Sequence, residues 1–232
     1  MSERIFNFNP GPAALPQSVL EEVRDNLLNY KNEGLSVMEM SHRSKSFDGI
    51  IKSAESLMKE VMGIPDGYKV IFFQGGATMQ FAAIPLNLLP ENKFADYVNS
   101  GSWSKKAIAE AKKLGRSINV IASSEDDSFT HIPKDFKVTP GAEYLHITSN
   151  NTIFGTQYHT YPETGNIPLI ADMSSDINCR KIDVGKFGLI YAGAQKNLGP
   201  SGTTVVIIRE DLMVKSPDNI PSICSYKIIG GK

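Results

Sequence analysis

Three short stretches set chemically able side chains at points where an apolar run gives way to a polar turn. The run KVIFF at 69–73 passes into Gln74, Gly75, Gly76, Ala77 and Thr78. Paired glycines let the backbone approach a ligand closely, and the free N–H groups of a helix start attract an anion. Gly76, Ala77 and Thr78 are therefore candidates for a phosphate cradle. A tight strand-to-helix turn is the plainer role. The stretch has neither the Lys-Ser/Thr pair of a P-loop nor the three-glycine spacing of a dinucleotide fingerprint. The run PLIAD ends on Asp172. A carboxylate closing an apolar strand is costly there unless something cationic pairs with it, although a helix cap or a metal ligand would also suit it. FGLIYAGAQKNLGPSG then sets Gln195 and Lys196 just after a third run, about one strand-to-strand step beyond Asp172. A lone lysine is usually a solvated charge. Its flanks here, Tyr191–Ala194 and Leu198–Pro200, are not those of a surface, and an amine so placed can lose its proton and act as a nucleophile.

An anion cradle, a strand-end acid and a strand-end lysine together match the needs of pyridoxal 5'-phosphate. That cofactor has a phosphate to hold, a ring nitrogen to keep protonated and an aldehyde to link to an amine. A flat partner for the ring is also wanted. Trp103, the single tryptophan, follows the run FADYV and could supply it, or could be a core aromatic. Thr152, after the run EYLHIT, could bond the ring hydroxyl or the phosphate, or be an ordinary loop hydroxyl. Other chemistries fit less well. His42, His131, His146 and His159 are scattered with no HExxH, and Cys179 and Cys224 make no CxxC, so no metal site is expected. The glycines at 199 and 202 lead into a strand and lack a P-loop lysine.

The elements that must position these residues follow from apolar spacing. Short, nearly continuous apolar runs at 69–73, 94–98, 117–121, 143–148, 168–172, 187–192 and 203–208 read as strands covered on both faces. Helical patterns fall at about 77–88 and 103–114 between some of them. Two further helices are expected near the start. One opens after Pro16 with Val19, Leu20, Val23, Leu27 and Leu28 as its stripe, and one spans 45–62 and stops at Gly63. Alternating strands and helices predict an α/β fold with a mainly parallel sheet and helices on both faces. In such sheets ligands bind outside the carboxyl ends of the strands. The first fifteen residues, rich in Pro and Gly, read as an extended arm.

Composition narrows the function classes. The chain of 232 residues is 41% hydrophobic and 21% charged with a formal net charge of −1. That balance excludes a disordered chain and argues against a nucleic-acid binder that works by phosphate neutralisation. No apolar run approaches the ~20 residues needed to span a bilayer, and MSERIFNFNP has no signal-peptide core. Two free thiols and no export signal fit the cytoplasm.

From FNFNPGPAALP at 6–16, VMEMSHRSKSF at 37–47 and QGGATMQF at 74–81, the pattern continues through GSWSKKAIAEAKKLG at 101–115, SNNTIFGTQ at 149–157 and ADMSSDI at 171–177. With FGLIYAGAQKNLGPSG at 187–202, these motifs resemble the phosphoserine aminotransferases, fold-type I, class V enzymes that use pyridoxal phosphate. The resemblance implies that Lys196 forms a Schiff base with the cofactor and, once freed, moves a proton. It implies that Asp172 pairs with the ring nitrogen and that Trp103 stacks on the ring. Gly76, Ala77 and Thr78 would cradle the phosphate, Gln195 would add a polar contact, and Thr152 would bond near the ring hydroxyl. Some members carry Arg in place of Thr78. His42 and Arg43, inside SHRS, would reach substrate. The implied reaction exchanges an amino group between phosphoserine or 3-phosphohydroxypyruvate and glutamate or 2-oxoglutarate, in serine biosynthesis, by a homodimer whose sites are completed by the partner chain. Family members continue beyond residue 232, so 16–232 would be the cofactor-binding large domain and a small C-terminal domain is expected outside these residues. Other readings are a glyoxylate-linked transaminase or a cysteine desulfurase of the same fold, or a binding module without turnover.

Overall fold

The computed structural model describes residues 4–231. Residues 4–15 form neither helix nor strand, and helix α1 (Gln17–Asp25) opens directly after Pro16. Helix α2 (Lys45–Met62) is capped by the Ser44 hydroxyl, which accepts from Phe47 N, and closes on Gly63 in the left-handed region. Then the sheet begins. Its strands and helices are β1 (Tyr68–Phe73), α3 (Gly76–Leu88), β2 (Phe94–Asn99), α4 (Ser102–Lys113), β3 (Ser117–Ser123) and β4 (Leu145–Thr148). A two-residue-per-arm hairpin follows, β5 (Asn150–Asn151) and β6 (Thr156–Gln157), then β7 (Leu169–Asp172), β8 (Leu189–Gly193) and β9 (Thr204–Arg209). Two short helices, α5 (Glu210–Met213) and α6 (Tyr226–Gly230), end the described chain.

Seven strands form one sheet in the order β1-β9-β8-β7-β4-β2-β3. All neighbours are parallel except β9, which runs against both β8 and β1. The expected mainly parallel α/β architecture is therefore the one observed. The reversal of β9 has a simple cause. Residues 194–203 join β8 to β9 without the dozen or more residues, usually helical, that a parallel crossover requires.

Alternation along the strands sorts the core onto two faces. Ile71, Tyr97, Ile170, Leu189, Tyr191 and Val206 point to the face covered by Phe81, Ile84 and Leu88 of α3 and Ala107, Ile108 and Ala111 of α4. Val70, Val98, Ile147, Ala171, Ile190 and Ile207 point to the other, where Met62 of α2 packs with Ile132, Tyr158 and Phe187. Each fully buried Ile or Leu contributes about 1.5–3 kcal/mol. The stripe expected on the first helix meets no such partner: α1 has no buried residue, and Leu27 and Leu28 lie past its end. No helix among the described residues is long and apolar enough to cross a membrane.

Candidate active site

Because β1, β2, β4, β7 and β8 run the same way, their carboxyl ends share one edge of the sheet. A cleft of about 150 Å³ opens there. Gly76, Ala77 and Thr78 at the start of α3 line it, with Trp103 in the first turn of α4, Asp172 at the end of β7, and Gln195 and Lys196 just after β8. Thr148, Asn150, Ser174 and Ser175 complete the wall. A second cleft, between 132–136 and 157–162, presents Lys134 and His159 without a converging acid and holds none of these residues.

The cradle is built by backbone shape. Gly75 (φ 86°) and Gly76 (φ 66°) both lie in the left-handed region that other residues avoid. A Cβ on Gly75 would come within 2.8 Å of Met79 Cβ. Helix α3 starts with no side-chain cap, so its first-turn amides have no intrahelical partner and face outward with the positive end of the helix dipole.

Asp172 is buried at 5% exposure. Its Oδ1 accepts from Ser174 N at 3.0 Å and from Ser174 Oγ at 2.7 Å, and the same Oγ accepts from Gly193 N at 3.1 Å. Burial is the main influence on this carboxyl and raises its pKa above the usual 3.8. The Ser174 donors and the Lys196 charge pull it part of the way back, and Asp176 adds a smaller upward push. A carboxylate so buried favours a nearby positive charge or a proton. Lys196 Nζ stands 5.5 Å from the centre of the Trp103 ring, and Lys106 Nζ is 4.5 Å from it. The N-terminal arm braces this lysine. Ala13 N donates to Gln195 O at 2.8 Å, and a Cβ on Gly11 would meet Lys196 Cγ at 3.0 Å.

Three of the expected residues are not brought to the cleft wall. Thr152 is exposed in the turn of the β5–β6 hairpin. The hydroxyl at that corner belongs to Thr148, which pairs with Asp172 in register and whose buried Oγ1 has no protein partner. His42 and Arg43 are exposed in the turn before α2, outside the cleft lining. Ser174 and Thr148 were not singled out by sequence reasoning. The two-residue offset of Ser174 from a strand-end acid was the available sign of the first, since that offset makes a local side-chain-to-backbone bond. Cys179 is exposed and Cys224 buried, and neither lines the cleft.

The groups present fit a phosphate-bearing, ring-containing aldehyde. The cradle offers free amides, Asp172 can hold a ring cation, Lys196 is an amine, and the buried Thr148 hydroxyl and Trp103 Nε1 lack protein partners. Fold and site together are those of an α/β protein that gathers a lysine amine, a buried acid and an uncapped helix start at the carboxyl edge of its sheet. More narrowly, the chain belongs to the class-V aminotransferases, whose family profile matches residues 5–221. The phosphoserine aminotransferase of Desulfosudis oleivorans is 57% identical over 227 residues, covering 98% of this chain and 63% of that protein. The solved phosphoserine aminotransferase of Bacillus circulans subsp. alkalophilus superposes with a TM-score of 0.94 at 50% identity, over 98% of this chain and 63% of that one. Another phosphoserine aminotransferase structure, described for radiation damage of its Schiff base, gives 0.93 at 48% identity over 97% and 63%. The chain thus spans less than two thirds of the length of these relatives.

Proposed function

We propose that these residues form the cofactor-binding part of a transaminase that exchanges an amino group between phosphoserine or 3-phosphohydroxypyruvate and glutamate or 2-oxoglutarate, with pyridoxal 5'-phosphate as cofactor. The observation that carries this reading is the convergence of Asp172, Lys196 and Trp103 beneath the uncapped start of α3. When bound, the cofactor supplies an aldehyde for attachment to an amine and a ring that withdraws electrons from the carbon being deprotonated.

The roles of the side chains follow. The amides of Gly76, Ala77 and Thr78 bind the phosphate, and Gln195 and Thr148 add polar contacts. Lys196 Nζ would supply the amine that holds the cofactor and the base that moves a proton at the substrate α-carbon. Asp172 would hold the ring's positive charge, and Trp103 would cover a flat group and exclude water. His42 and Arg43 are assigned to substrate. The Arg43 fork suits a carboxylate or phosphate, and both side chains, exposed away from the cleft wall, would serve the cleft of a second copy in a homodimer. In this reading residues 1–15 are an arm and 16–232 a large domain, of which 1–3 and 232 lie outside the described residues, and the enzyme works in the cytoplasm.

The test is reconstitution. Added pyridoxal phosphate should give a visible absorbance band, and borohydride should fix the cofactor on Lys196. A fixed adduct on another lysine, or no band, overturns the assignment. Turnover of phosphoserine with 2-oxoglutarate separates this reaction from a glyoxylate-linked transaminase.

A further inference from the structure

Behind Asp172 the sheet carries a line of buried polar side chains that the proposed chemistry leaves unused. Tyr191 of β8 is the register partner of Asp172, and His146 of β4 points to the same face. His146 Nε2 lies 2.9 Å from Tyr191 Oη. On its far side the imidazole stacks on Tyr97, 4.9 Å between ring centres, and Tyr97 Oη meets Tyr144 Oη at 2.8 Å. Tyr191 and His146 are 0% and 1% exposed. Polar groups placed this deep are costly unless their hydrogen bonds are made, and His146 Nδ1 has no partner among the described residues. Leucine or phenylalanine would fill the same space without that cost.

The direction of the hydrogen bonds can be worked out. Burial pushes His146 down to about 3, so the ring is neutral with one N–H and one acceptor nitrogen. Tyr191 is pushed well above 10, by burial first and by the Asp172 charge next, with the Tyr97 and Tyr226 charges adding to it. The phenol therefore keeps its proton. If His146 donates Nε2–H to Tyr191 Oη, the single phenol proton is free for the anion. We infer that Tyr191, backed by His146, is a positioning residue for Asp172: Nε2–H donates to the phenol oxygen, and the phenol O–H donates toward the carboxylate that faces the cofactor ring. This rests on the proposed cofactor site. Other titratable groups facing the chain are Lys196 and Asp176 around Asp172, with Tyr97 and Tyr226 around Tyr191. Arg116 acts on Tyr144, and the neutral Gln80 of α3 accepts from Tyr226.

The experiment uses the 232-residue chain loaded with pyridoxal phosphate and reads two quantities: the pH midpoint of the bound cofactor's visible band, and cofactor affinity by equilibrium dialysis. Weaker support of the Asp172 anion loosens the ring-nitrogen proton. Losing that nearby positive charge raises the midpoint of the lysine linkage. Tyr191→Phe, which keeps the packing, should raise the midpoint by about one pH unit and weaken affinity about tenfold. His146→Phe should shift it the same way by less, and the double variant should go no further than Tyr191→Phe alone. His146→Gln, whose amide can donate from a similar place, should recover most of the shift. Wild-type midpoint and affinity in Tyr191→Phe would overturn the inference while leaving the cofactor site intact. A wild-type chain that takes up no cofactor would overturn the site and the inference together.

Discussion

At Asp172 the proposed function and the stability of the fold pull in opposite directions. Its folded pKa lies above the unfolded value of about 3.9. Such a group favours the fold below that value, and the benefit is lost as pH rises through the folded value. In the cofactor-free protein, Asp172→Asn should therefore be the more stable at pH 7, with the difference vanishing below about pH 4; denaturant unfolding at both pH values checks it. The same change should slow transamination by the loaded enzyme roughly 100-fold, about 3 kcal/mol, as expected when a directed charge contact to a transition state is lost. His146 has the opposite sign. Its pKa is depressed to about 3, so its contribution is full above the unfolded value of about 6.5 and falls with pH below it. The slope approaches about 1.4 kcal/mol per pH unit. His146→Phe should flatten the stability profile between pH 6.5 and 4, measured by urea midpoints.

At the scale of elements, the start of α3 makes the sharpest prediction. Gly75→Ala forces an L-residue to φ 86° and drives its Cβ to 2.8 Å from Met79 Cβ. The conformational cost alone is about 1–2 kcal/mol. Cofactor affinity should fall about tenfold, read by dialysis. Gly49→Ala, on α2 where an added Cβ meets nothing within 4 Å, should instead stabilise by about 0.5–1 kcal/mol and leave affinity unchanged. These elements explain what the sequence could and could not reveal. Asp172 and Lys196 were legible because each closes a run too apolar to be anything but a covered strand, and a shared strand direction brings such ends together. Thr148 was harder to find. Only the two-residue alternation of β4, carried to its last residue, puts Thr148 beside Asp172, and the small β5–β6 hairpin then turns Thr152 away from the wall. Tyr191 and His146 sit inside apolar runs. Their partnership depends on β8 and β4 both flanking β7, which no local pattern states. The sense of β9 was written only in the shortness of 194–203.

Taken as a whole, the molecule leaves apolar surface uncovered. Val23 of α1 is 56% exposed, and Leu57 and Val61 of α2 are 55% and 67% exposed. Surface of this kind marks contact with another chain or segment. Association should therefore rise with concentration in light scattering, and Val23→Asp with Leu57→Asp should lower it while thermal unfolding changes little. The order of the sheet has a further consequence, one of timing. Among the described residues, edge strand β1, which leads into the start of α3, pairs with β9 alone, with Tyr68 set against Arg209. Contacts between such distant parts of a chain form slowly, because the long intervening loop must first be closed. By contrast, β2 and β3 pair across a single helix. Refolding should accordingly restore the Trp103 environment beside β2 first and cofactor capture last. On a ribosome, the nascent chain would stay unable to hold its cofactor until the residues of β9 had emerged.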